Sequence, residues 1–162
     1  MNPAEVCVLL PAMNEAETVG SVVAGFRDVG FDEVLVVDGG SDDDTRARAR
    51  DAGARVVEQC GHGKGQAIRQ AIDEEIHRPV VLMADADGTY DPADAERMLD
   101  PIQHGRADHV IGDRFANLEP GAMTRPNNIG NRLANRVFGV ILGERLSDIL
   151  SWHPPFTRRS VQ

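Results

Sequence analysis

Short runs of consecutive apolar residues, each followed by a turn and then by a stretch with helical spacing, constrain this chain more than any other feature. The first run is Glu5-Val6-Cys7-Val8-Leu9-Leu10-Pro11, the second spans residues 31–38, and the third is Arg55-Val56-Val57-Glu58. The fourth is Val80-Val81-Leu82-Met83-Ala84, bounded by Pro79, and the fifth is His109-Val110-Ile111-Gly112. Continuous rather than alternating apolar residues mark strands buried on both faces.

Helical patterns separate these strands. Val19, Val22, Val23 and Phe26 share one face of a helix that Gly30 ends, and Asn14 with Glu17 reads as its N-cap and capping partner. A short polar helix starts at Asp44 or Thr45. Another spans residues 66–77, with Ala67, Ile68, Ala71 and Ile72 inward. Pro92 suits the first turn of a helix reaching about Gln103, and residues 127–142 read as a last one. Such alternation calls for an α/β fold, a parallel sheet covered by helices on both faces. At 162 residues, a single domain spanning 1–162 is expected.

Ligands of such sheets bind beyond the carboxyl ends of the strands, where the strand order reverses. If the first three strands run 3-2-1 and the fourth returns beside the first, residues 11–15, 38–42 and 85–87 line one cleft. Asp85 and Asp87 stand one residue apart where the fourth strand becomes a loop. Anionic oxygens crowded there repel one another unless a cation offsets them, and hard oxygen donors with few protein contacts suit Mg²⁺ or Mn²⁺. A lone Asp-x-Asp also fits a solvated acidic turn. That reading leaves unexplained why the strand-end loops all carry carboxylates or glycines.

A net charge of −9 argues against a nucleic-acid partner. No apolar run approaches the roughly 20 residues that span a bilayer, and no secretion signal is evident, so a cytoplasmic location is expected. Cys7 reads as strand core and Cys60 as a reduced loop thiol. Lys64 is the only lysine, and the acidic residues lean to aspartate. That pattern resembles proteins of salt-accumulating microbes, although high-GC codon usage also depletes lysine.

Four motifs in order carry a resemblance over nearly the whole chain: Leu10-Pro11-Ala12-Met13-Asn14-Glu15, Val36-Val37-Asp38-Gly39-Gly40-Ser41, Gly63-Lys64-Gly65-Gln66-Ala67 and Asp85-Ala86-Asp87-Gly88-Thr89-Tyr90-Asp91-Pro92. They resemble the family 2 glycosyltransferases, and within them the polyprenyl-phosphate and dolichol-phosphate sugar synthases. The resemblance implies the three-layer GT-A fold of nucleotide-diphospho-sugar transferases and a UDP- or GDP-linked sugar donor. Pro11, Ala12, Asn14 and Glu15 would border the nucleoside and Asp38 would accept a hydrogen bond from the base, with Gly40 and Ser41 beside it. Lys64 and Gly65 would lie at the nucleotide end, Asp85 and Ala86 at the ribose or donor sugar, and Asp87 with Asp85 at the metal. Arg114 resembles the phosphate-directed arginine, and Asp148 the aspartate that approaches the acceptor as base or as a positioning group. Arg125 and Arg132 would flank the entry of an anionic acceptor, a lipid phosphate at the cytoplasmic face of a membrane.

Two departures stand out. Thr89 replaces a glutamine frequent beside the metal. After Asp148 the family usually continues Ser-Gly-aromatic-Arg-x-Phe, whereas this chain has Ser151-Trp152-His153-Pro154-Pro155-Phe156. The expectation is a catalytic core cut short or altered after about residue 150, and a nucleotide-binding remnant without turnover is one alternative. The other is a haloacid-dehalogenase-type phosphatase, which also starts from Asp-x-Asp-Gly-Thr. That enzyme needs the motif on its first strand and a lysine and an acidic pair downstream, and this chain supplies neither.

Overall fold

The computed structural model describes residues 2–111 and 156–157. The chain divides into two units, residues 1–110 with 155–162, and residues 111–154; the account below concerns the first.

Strand β1 (Val6–Ala12) is the centre of the sheet because almost every position on it is apolar, so it can be covered on both faces. Strands β2 (Glu33–Asp38), β3 (Arg55–Glu58) and β4 (Val80–Met83) join it in parallel, and β5 (Phe156–Thr157) pairs antiparallel with β4. The strand order is β3-β2-β1-β4-β5, so the expected reversal lies between β1 and β4.

Even and odd positions of β1 feed two separate cores. Val6, Val8 and Leu10 pack with Val19, Val23 and Phe26 of α1 (Val19–Asp28), with Ala49 of α2 (Thr45–Asp51), and with Leu99 and Ile102 of α4 (Ala95–Gln103). Cys7 and Leu9 pack with Leu35, Val37, Val81 and Met83 beneath Ala67 of α3 (Lys64–Gln70), Ala71 and Ile76. Each fully buried valine or leucine contributes about 1.5–3 kcal/mol relative to exposure. The three-layer α/β architecture matches the expectation.

Four local expectations need correction. Helix α1 starts at Val19, after Thr18, and not at Asn14. Asn14 instead adopts a left-handed φ of 57°, which asparagine tolerates better than most residues. The third helix gives way after Gln70 to a wider π-helical turn, Ala71–Glu75, closed by Ile76 N–H donating to Ala71 O at 2.8 Å. Strand β2 begins at Glu33 rather than Phe31. Among the described residues of the expected fifth strand, His109 makes only an isolated pairing. Val110 is half-buried, and neither it nor Ile111 is paired in a strand among the described residues; Gly112 lies outside them. Among the described residues, no helix is long and apolar enough to cross a membrane.

Candidate active site

The sheet register brings the strand ends to one edge. Ala12 is level with Asp38, and Asp38 with Glu58. Beyond the strands the pairing continues: Gly39 N–H donates to Ala12 O at 2.8 Å, Gln59 N–H to Asp38 O at 2.8 Å, and Ala84 N–H to Leu9 O at 3.1 Å. Pro11, Ala12, Asp38, Gly40, Ser41, Lys64, Asp85 and Asp87 therefore all belong to this edge.

Asp38 has no accessible surface. Its Oδ2 accepts from Gly40 N–H at 3.2 Å and Ser41 N–H at 3.0 Å, and its Oδ1 accepts from the Ser41 hydroxyl. Arg46 lies alongside, Nε 3.7 Å from Oδ2, and its Nη1 pairs with Glu58 at 2.7 Å. A buried carboxylate is tolerated when hydrogen bonds and a counter-charge surround it, and both are present. Three of about four acceptor positions are in use. Gly40 holds φ at 94°, a value that makes glycine the natural occupant.

The loop after β1 is latched to the loop after β2 by side chains reaching backbone. Asn14 N–H donates to Ser41 Oγ at 2.9 Å, Glu15 N–H to Thr45 Oγ1 at 2.8 Å, and Ala16 N–H to Asp43 Oδ2 at 3.2 Å. In return, Asp42 N–H donates to Asn14 Oδ1 at 3.1 Å. Thr45 is fully buried, and its hydroxyl also donates to Asp43 Oδ1. That hydrogen bond is the foremost cause holding the Asp43 carboxyl below its ordinary 3.8. The Glu15 carboxylate accepts from the Thr18 hydroxyl at 3.0 Å. The latching roles of Asp43 and Thr45 lie outside the sequence expectations; the local sign is an acidic run ending in threonine, which suits a side-chain-bonded turn.

Across the β1–β4 crevice, the Lys64 ammonium is ion-paired with Asp85 Oδ1. Ala86 is buried in the core between two more accessible aspartates. Asp87 is exposed, and its Oδ1 accepts from Thr89 N–H at 2.9 Å and from the Thr89 hydroxyl, which fixes the carboxylate's orientation. Among the described residues, no cluster of three or more histidine, cysteine, aspartate or glutamate side chains forms. Asp85 and Asp87 are the donors suited to a divalent cation here. Such a small set fits Mg²⁺ or Mn²⁺, which retain water and phosphate ligands.

Gly65 is exposed with open space around it. Arg114, Arg125, Arg132 and Asp148 lie outside the described residues. A cavity of about 410 Å³, lined among others by Pro3, Val6, Phe31, Pro92 and Leu99, opens near the amino ends of the strands and not at this edge.

A family model described as Glycosyl transferase family 2 matches residues 7–152. The chain is 57% identical over 158 residues to Glycosyltransferase AglJ of Haloferax volcanii, covering 98% of this chain and 52% of that protein. It is 38% identical over 148 residues to a dolichyl-phosphate hexose transferase of the same organism, covering 89% of this chain and 62% of that one. The chain thus spans between about half and two thirds of the length of these two relatives. A crystal structure of glucosyl-3-phosphoglycerate synthase from Mycobacterium tuberculosis in complex with UDP is similar, with a TM-score of 0.74 at 25% identity. That match covers 95% of this chain and 57% of the other.

Proposed function

Because the chain belongs to glycosyl transferase family 2 and has the GT-A fold, we propose that it moves a sugar from a nucleotide-sugar donor to an acceptor in a metal-dependent reaction, the acceptor being a polyprenyl phosphate. The observation that carries this reading is the convergence of the Asp38, Lys64 and Asp85–Asp87 loops on one edge of the sheet, beside the β1–β4 reversal. The solved relative with UDP supports a nucleotide there. The dolichyl-phosphate hexose transferase supports a lipid-phosphate acceptor, met at the cytoplasmic face of a membrane.

A bound Mg²⁺ or Mn²⁺ would neutralise the charge developing on the departing nucleoside diphosphate. Asp87, oriented by Thr89, would hold it together with Asp85. The latched loops carrying Pro11, Ala12, Asn14 and Glu15 would border the nucleoside, and Asp38, which has no accessible surface in this structure, would accept from the base where the Gly40–Ser41 turn shifts to expose its remaining acceptor position. Lys64 and Gly65 would stand along the donor's path, and Ala86, its side chain buried in the core, would meet the donor only through its backbone. Arg114 would face the leaving phosphates, and Arg125 and Arg132 the acceptor phosphate. A phosphate acceptor is already ionised near neutral pH, so Asp148 would position it rather than remove a proton.

Thermal shift with UDP and GDP, with and without Mn²⁺, tests the reading. We expect a shift that needs both nucleotide and metal. Asp87→Asn should weaken it at least about ten-fold while the chain stays folded, since even residues behind the ligands matter by that much. Wild-type affinity in Asp87→Asn would remove Asp87 from the metal site.

A further inference from the structure

Lys64 is the only lysine of the chain, and it pairs with one of the two carboxylates assigned above to the metal and donor. The inference drawn from this rests on that assignment. The Lys64 side chain is 44% exposed and the Asp85 side chain 23%, so water reaches the pair. Pairs of this kind contribute little to stability and separate readily.

Lys64 opens α3, and the loop before it is anchored while its side chain keeps room. Gln59 Nε2 donates to Gly63 O at 2.8 Å, tying the loop to the end of β3. Gly63 has φ 89° and ψ 148°, a conformation that a side chain would strain, and a Cβ at Gly65 would meet nothing within 4 Å. A compact ammonium on a four-carbon stem, set between such residues, can turn from one anion to another without backbone movement.

We infer that Lys64 is a partner-exchanging binding residue: its ammonium neutralises Asp85 before the donor binds, yields that carboxylate to the divalent cation, and then pairs with the diphosphate oxygens. The two roles have opposite signs. Toward metal alone Lys64 is a competitor, and toward metal with nucleoside diphosphate it is a ligand. A residue that merely held the loop in shape would move both affinities the same way.

The test compares the full chain with Lys64→Gln and Lys64→Arg. Free Mn²⁺ binding is followed by electron paramagnetic resonance, and Mn²⁺ with UDP or GDP by calorimetry. Lys64→Gln should bind free Mn²⁺ roughly two- to five-fold tighter, the factor that loss of an exposed pair represents, and bind Mn²⁺ with nucleoside diphosphate roughly ten-fold more weakly. Lys64→Arg, which keeps the charge, should follow wild type with free Mn²⁺. In an Asp85→Asn background, Lys64→Gln should leave free Mn²⁺ affinity unchanged, because the pair is already broken. If Lys64→Gln binds free Mn²⁺ no tighter while wild type still binds Mn²⁺ with UDP or GDP, the exchange is overturned and the proposed function stands. If wild type shows no metal-dependent binding of either nucleotide, the proposed function itself fails, before any variant is compared.

Discussion

Asp38 shows how one side chain can be committed to structure before it meets a ligand. Its oxygens, themselves without accessible surface, staple the Gly40–Ser41 turn and face Arg46. Asp38→Ala therefore does more than remove one contact to a base. It leaves two backbone N–H groups and a hydroxyl without their acceptor, and each such buried group costs about 1–3 kcal/mol. We expect urea unfolding to show a loss of at least about 2 kcal/mol, together with lost nucleotide affinity. Stability equal to wild type with affinity alone reduced would show that solvent fills the gap and that Asp38 serves the ligand only. Cys7 is the contrasting case at the same scale. Burial first, and then the Glu33 charge, push its thiol up to about 12, so it stays a neutral core residue while Cys60 is exposed.

Between elements, the hydroxyl of Thr45 joins the β1 and β2 loops. Thr45→Val keeps the shape, but leaves Glu15 N–H unpaired and removes the hydroxyl bond to Asp43, which keeps its bonds from Thr45 N–H and Ala16 N–H. Unfolding free energy at neutral pH should fall by about 1–3 kcal/mol. The pH dependence has a definite sign. A carboxyl whose folded value is depressed stabilises the fold above its unfolded value, here 3.8, and that contribution is lost as pH falls through the folded value. The difference between Thr45→Val and wild type should therefore shrink on acidification below about pH 4; a difference that grows would rule out the Asp43 link. The same element explains what the sequence could and could not show. Strands β1 to β4 were legible because uninterrupted apolar runs have few other uses, and so was the place of Asp85 and Asp87 just past the end of β4. Asn14 misled because a capping asparagine and a left-handed asparagine look alike locally. The latches join residues 27 to 30 positions apart, a pairing no local pattern encodes. The short β5 was missed because two residues carry no periodicity.

At the scale of the whole molecule, 26 acidic residues face 17 basic ones, giving a net charge of −9. Salt acts on this surface in two opposed ways. It weakens exposed pairs such as Arg97–Asp94 and Arg46–Glu58, each worth about 0–1 kcal/mol. It also screens the mutual repulsion of the unpaired carboxylates, which acts over longer distances and across the whole surface. Raising KCl from about 0.1 M to about 1 M shortens the screening length from about 10 Å to about 3 Å. That suppresses the long-range repulsion more than contacts at ion-pair distance. We therefore expect the melting temperature to rise with KCl at neutral pH. Salt can also stabilise by strengthening the burial of apolar surface, and pH separates the two causes. Near the isoelectric point of about 4.9 the net repulsion disappears, so the gain from screening should disappear with it. Melting curves across the KCl series at neutral pH and near pH 4.9 decide the matter: the same slope at both would assign the effect to apolar burial and not to the acidic surface.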